Sequence, residues 1–128
     1  MTLWSAFSDR NLKIRLTGIR SLMPECKVTV DAGVCRFKTV VEAVGDDMMN
    51  VTFKIRSECP AIRQMAKELK EPMEVVDALR LPFSENPVYC AASRNINHSA
   101  CPIPSAIIKA AEVAADLGLK RDVCFRIE

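Results

Sequence analysis

Two cysteines stand directly before proline, Cys59-Pro60 and Cys101-Pro102, and each opens a stretch patterned as a helix. A helix N-terminus presents unpaired N–H groups and a partial positive charge. A thiol placed there is biased toward thiolate, the form that ligates metals and attacks electrophiles. Cys35 follows Gly33-Val34 at the start of a strand pattern, and His98 lies one helical turn ahead of Cys101. Soft thiolates with an imidazole suit zinc or an iron–sulfur cluster. Cys35, Cys59, Cys101 and His98 are therefore the expected metal- or cluster-binding set.

Two other kinds of chemistry fit the same residues. His98 and Cys101 could form a Cys–His nucleophile, with Asn95 or Asn97 orienting the imidazole and helix N–H groups holding an oxyanion. Cys59 or Cys101 could instead carry sulfur or respond to redox state. In a third reading the cysteines are small buried hydrophobes and the chain is a non-catalytic interaction module. Cys26 and Cys124 fall within strand patterns and read as structural. Cys90, eleven residues before Cys101, fits a fourth ligand, a resolving thiol or packing. Arg56 and Arg63 flank Cys59 and could favour a thiolate or the negative charge of a cluster.

The elements that must position these residues are legible from about residue 26 onward. Lys27-Val28-Thr29-Val30 is β-rich and stops at the Asp31-Ala32-Gly33 turn. Phe37, Thr39, Val41 and Ala43 alternate with Arg36, Lys38, Val40 and Glu42, and Gly45-Asp46-Asp47 follows as a hairpin loop. Met49, Val51, Phe53 and Ile55 then alternate with Asn50, Thr52, Lys54 and Arg56. Ser57 is expected to cap a helix with Pro60 in its first turn and Ile62, Met65, Ala66 and Leu69 as its buried stripe. A short helix through Val75, Val76 and Leu79 and one or two helical turns in Val88–Ser93 come next. The strongest helix follows Pro102 and Pro104, with Ile107, Ile108, Ala111, Ala114, Ala115 and Leu117 inward and Gly118 as its C′ residue. Val123, Phe125 and Ile127 alternate with Cys124 and Arg126, a strand pattern. The expected fold is α+β: an antiparallel sheet of three or four strands with helices packed on one face.

Composition narrows the function classes. The chain has 128 residues, 49% hydrophobic and 27% charged, enough for a core without disulfide staples. Residues 1–22 read as an N-terminal extension and residues 23–128 as one α+β domain. A net charge of +2 and only 5% aromatics argue against nucleic acid as a partner. Four glycines leave no phosphate-cradling loop. No apolar run reaches the roughly 18 residues of a membrane span, and no secretory pattern opens the chain. A cytoplasmic location follows, and there six cysteines point to metal or redox chemistry rather than disulfides. An open sheet edge would allow a homodimer.

The order strand, strand, helix with Gly33-Val34-Cys35, Arg56-Ser57-Glu58-Cys59 and His98-Ser99-Ala100-Cys101 resembles the IscU/NifU-type iron–sulfur scaffold proteins. Met49–Lys54 looks like that family's middle strand and Ala106–Ala111 like its last helix. The resemblance spans about residues 24–117 and is one of pattern. It implies an IscU-like fold and a cysteine site for an iron–sulfur cluster or zinc, with protein partners in sulfur or cluster handling. The chain departs from the scaffolds at Phe37, where they place an aspartate, and at Ser99-Ala100, which separate a His and Cys that are adjacent in them. It also lacks their Leu-Pro-Pro stretch. The pattern is that of a divergent relative.

Overall fold

The structure, a computed structural model, describes residues 24–128. The extension expected at residues 1–22 lies outside the described residues. Strands β1 (Glu25–Asp31), β2 (Lys38–Gly45), β3 (Asn50–Ser57) and the short β4 (Met73–Glu74) form one antiparallel sheet in the order β1-β2-β3-β4. Helices α1 (Pro60–Lys67), α2 (Val75–Ala78), α3 (Pro87–Asn95) and α4 (Ile103–Ala114) complete the fold, with a 3₁₀ turn at Phe83–Glu85. The α+β class and the antiparallel sheet are those expected. The fourth strand, however, is Met73–Glu74 and not the alternating segment 123–127, which forms no strand and is exposed.

Side-chain alternation sets the register. Cys26, Ala43 and Phe53 share one cross-strand row; Val28, Val41 and Ile55 share the next; Val30, Thr39 and Ser57 share the third. All three rows face the helices. The opposite face carries Lys27, Glu42 and Lys54 in register, and Arg56 pairs with Glu42 at 3.3 Å. That face is a mixed-charge, solvated surface.

Helix α4 packs on β1 and β2, and α1 packs on β3 and α3. Ile62, Met65, Ile103, Ile107, Val41 and Val51 are fully buried between the layers. Each such side chain contributes about 1.5–3 kcal/mol by leaving water. The direction of α4 is set by close approach. A Cβ on Gly45, which ends β2, would stand 2.4 Å from the Ala114 carbonyl oxygen. The C-terminal end of α4 thus rests on the last residue of β2. Twelve helical residues reach back about 18 Å, and eight strand residues span about 24 Å. The N-terminal end of α4 therefore lies toward the beginning of β2.

The helix ends differ in detail from expectation. Cys59, not Ser57, is the N-cap residue of α1; Pro60 holds the first helical position as expected. The helix stops at Lys67, so Leu69 joins the core from the following turn. The left-handed residue after α4 is Asp116, with φ 64°, rather than Gly118. The Asp116 N–H donates to Val113 O at 2.9 Å and the Leu117 N–H to Glu112 O at 3.0 Å, a Schellman motif that leaves Leu117 exposed. Aspartate tolerates this conformation better than most side chains.

Candidate functional site

Cys35 and Cys59 share the end of the sheet where β1 and β3 finish and β2 begins. The turn between β1 and β2 carries Cys35, which is exposed and precedes the strand rather than starting it. Asp31 Oδ1 accepts the Gly33 N–H at 3.1 Å, and the Arg36 N–H donates to Gly33 O at 2.9 Å. Gly33 has φ 89° and Arg36 φ 64°. Two left-handed residues, one on each side of Val34-Cys35, make this a tight turn that presents its tip to solvent.

Cys59 is held by its neighbours. The buried Thr39 hydroxyl meets the Ser57 hydroxyl at 2.7 Å across β2 and β3, and Ser57 Oγ accepts the Cys59 N–H at 3.0 Å. Ser57 thus forms a turn ahead of α1 rather than capping it. Glu58 fastens the same corner to the strand that follows Cys35. Its N–H donates to Lys38 O at 3.1 Å and its Oε1 accepts the Lys38 N–H at 2.9 Å. Arg63 Nη1 donates to Ser57 O at 3.0 Å, so this cation is engaged by the backbone of the turn.

Cys101 precedes α4 by two residues and is half-buried. The run of α4 from Gly45 back toward the start of β2 brings it to the same end of the fold as Cys35 and Cys59. Electrostatics agree with this placement. Burial pushes the Cys101 thiol up, the Ile103 N–H opposes this, and the Cys59 and Cys35 thiolate charges raise it further. The thiolate bias expected of Cys101 at a helix start is therefore reversed, because desolvation outweighs the helix N–H groups. Cys101 thus lies near enough to Cys59 and Cys35 to feel the charge of each. Among the described residues, no group of three or more His, Cys, Asp or Glu side chains is gathered tightly enough to hold a metal ion. His98 is exposed on the loop between α3 and Cys101.

The other cysteines have surroundings of their own. Cys26 is buried in the row at the opposite end of the sheet, where burial pushes its thiol up and the nearby Lys120 ammonium partly offsets the rise. Cys90 on α3 donates its S–H to Ser84 O at 3.4 Å. Cys124, expected in a strand, is exposed in the irregular segment after α4. All six cysteines are free. A shallow recess of about 360 Å³ between β3 and α1 is lined by Phe53, Ile55, Arg63, Lys67, Leu69 and Lys70.

One arrangement was missed by sequence reasoning although its signal was present. Asn86-Pro87 is an N-cap followed by proline at the first helical position. Asn86 Oδ1 accepts the Val88 and Tyr89 N–H groups at 2.8 and 3.3 Å, and Nδ2 donates to Ala78 O and Arg80 O at 2.9 and 3.1 Å. This buried amide starts α3 and holds the end of α2 against it.

The unit that carries these thiols matches one family model over residues 26–127. The chain belongs to DUF6951, a family of unknown function. The match runs from β1 through the three-thiol end and on through the exposed segment after α4 of this DUF6951 chain. No curated protein and no solved structure matches it. Among the described residues, no helix is long and apolar enough to cross a membrane.

Proposed function

We propose that this DUF6951 protein binds a soft metal ion or an iron–sulfur cluster through Cys35, Cys59 and Cys101, with His98 as the candidate fourth donor. The observation that supports the reading most is the convergence of the three thiols on one end of the fold, where each of the other two raises Cys101. Thiolates that repel one another in the free protein gain most from a cation placed among them. Cys59 and Cys101 are anchored at the starts of α1 and α4, while Cys35 rides on a solvent-facing turn. Ligation then proceeds by inward movement of the Gly33–Phe37 turn, since zinc–thiolate bonds of about 2.3 Å need closer approach than the free thiols show. The donor set fits zinc or an iron–sulfur centre. A role in cluster or sulfur handling, in the cytoplasm and with protein partners, is the extension that the IscU/NifU-type pattern supports. The protonated tendency of Cys101 weighs against its acting as a free nucleophile at neutral pH.

The test is anaerobic titration of the reduced protein with zinc, and separately with ferrous iron and sulfide, beside the Cys35→Ser, Cys59→Ser and Cys101→Ser variants. The reading expects one equivalent of tightly held zinc, or a cluster with visible absorbance, and loss of either in each variant. Absence of uptake in the parent protein, or uptake undiminished in all three variants, would sink it.

A further inference from the structure

The segment after α4 carries a pattern that the rest of the described fold does not use. Val123, Phe125 and Ile127 recur with period two and are 64%, 75% and 93% exposed. In extended backbone they line one face, with Cys124 and Arg126 on the other. Three large apolar side chains exposed within five residues mark an interaction surface rather than a solvated tail. The family match includes them, ending at residue 127.

The sheet offers a seat long enough for this segment. Among the described elements, β1 pairs only with β2, so no described strand meets the N–H and C=O groups of its other edge along these seven residues. Such an edge is a template for strand addition. The core also thins there. Val28 and Val30 face inward but remain half-exposed, whereas Val41 and Thr39 opposite them are fully buried. An added strand with apolar inward side chains would close that side of the core.

We propose that residues 123–127 form a strand that adds, in a second copy of the chain and reciprocally, to the edge of β1 that no described strand pairs with. Helix α4 ends on Gly45, whose N–H donates to Pro24 O at 2.8 Å just ahead of β1, and the Lys120 ammonium is near enough to act on Cys26, so the segment leaves the fold near the start of β1. From there its own chain could run along β1 only in the parallel sense, yet residues 121–128 are all exposed. A copy related by a two-fold axis supplies the segment antiparallel, and the same operation returns the favour, which closes the assembly as a dimer.

Charge disfavours the register that pairs all three apolar residues with β1. With Phe125 opposite Val28, Asp122 would face Asp31, Arg126 would face Lys27 and Glu128 would face Glu25, three like-charge pairs. With Phe125 opposite Val30 and Ile127 opposite Val28, two apolar pairs form, Val123 reaches Ala32 just past β1, and Glu128 faces Lys27. A slip of one residue would turn the apolar row to solvent.

The experiment is light scattering on size-exclusion fractions at about 100 µM protein, with reductant and chelator present so that neither a disulfide nor a shared metal links copies. Twice the chain mass of 14.2 kDa is expected, falling to 14.2 kDa in the Phe125→Asp/Ile127→Asp variant. Hydrogen exchange locates the seat: amides of residues 25–31 are expected to exchange about tenfold or more faster in the variant, with residues 52–56 unchanged. A monomeric parent protein overturns the proposal, including one in which the segment protects β1 of its own chain. So does a dimer that survives the double substitution or that protects β3 instead of β1.

Discussion

The hydroxyls of Thr39 and Ser57 meet at 2.7 Å across two strands, and through Ser57 that bond fixes the amide of Cys59. The buried Thr39 hydroxyl is thereby satisfied by the half-buried Ser57, which also sets the start of α1. Ser57→Ala leaves the Thr39 hydroxyl and the Cys59 N–H without this partner and is expected to cost about 1–3 kcal/mol of stability. Thr39→Val, which keeps the shape, is expected to cost about 1 kcal/mol. Urea unfolding of both variants measures the difference. Zinc affinity should fall further in Ser57→Ala than in Thr39→Val, because only the former frees the Cys59 turn.

Gly45 is the place where α4 cannot tolerate a side chain. Gly45→Ala puts a Cβ against the Ala114 carbonyl, a backbone atom that moves only with the whole helix end. The expected loss is about 1–3 kcal/mol. A shift of α4 along β2 also displaces Cys101 at its far end. A Gly45→Ala protein of parental stability, with metal uptake unchanged, would contradict the placement of α4 given above.

Thiol titration follows from the Cys101 environment. Because Cys59 and Cys35 raise Cys101, Cys59→Ser is expected to lower its pKa and speed its alkylation at neutral pH. The rate is read at Cys101 by mass spectrometry of the digested protein. No acceleration in either Cys59→Ser or Cys35→Ser would show that the three thiols are not neighbours in solution.

The same shifts give stability a pH dependence with a definite sign. Cys26 and Cys101 are both raised in the fold. Their contribution is complete below the ordinary thiol pKa and is lost as pH rises through the raised folded values. Glu68, held low by Asn95 and Arg94, behaves oppositely: its contribution is present above the ordinary carboxylate range and is lost as pH falls through the lowered value. Urea midpoints measured from about pH 3 to about pH 10 should therefore fall at both ends. The alkaline fall should shrink in Cys26→Ala relative to its own midpoint at pH 7.

Strand alternation made β1, β2 and β3 legible to within a few residues, because one face of each is buried and the other is wet. Pro60 likewise marked the start of α1. The alternation of Val123, Phe125 and Ile127 misled, since periodicity reports how a segment would bury its side chains and not whether a neighbouring strand exists in the same chain. Gly118 misled for a related reason: Asp116 could take the left-handed position two residues sooner. The direction of the Cys101 shift was hidden because a helix start argues for thiolate, while the depth of the sulfur depends on how α4 seats on the sheet. Asn86-Pro87 was readable, and only the adjacent prolines obscured it.

Asn86 spends both donors and its acceptor on four backbone groups drawn from α2, the turn after it and α3. No aspartate can replace it there, since a carboxylate has no N–H to offer the carbonyls of Ala78 and Arg80. The exposed stretch from Leu81 to Glu85 is closed off by this side chain, with the Cys90 S–H on Ser84 O as a further tie. That stretch is accordingly a part of the fold where length and sequence can change without disturbing the core, provided the amide at its close is kept.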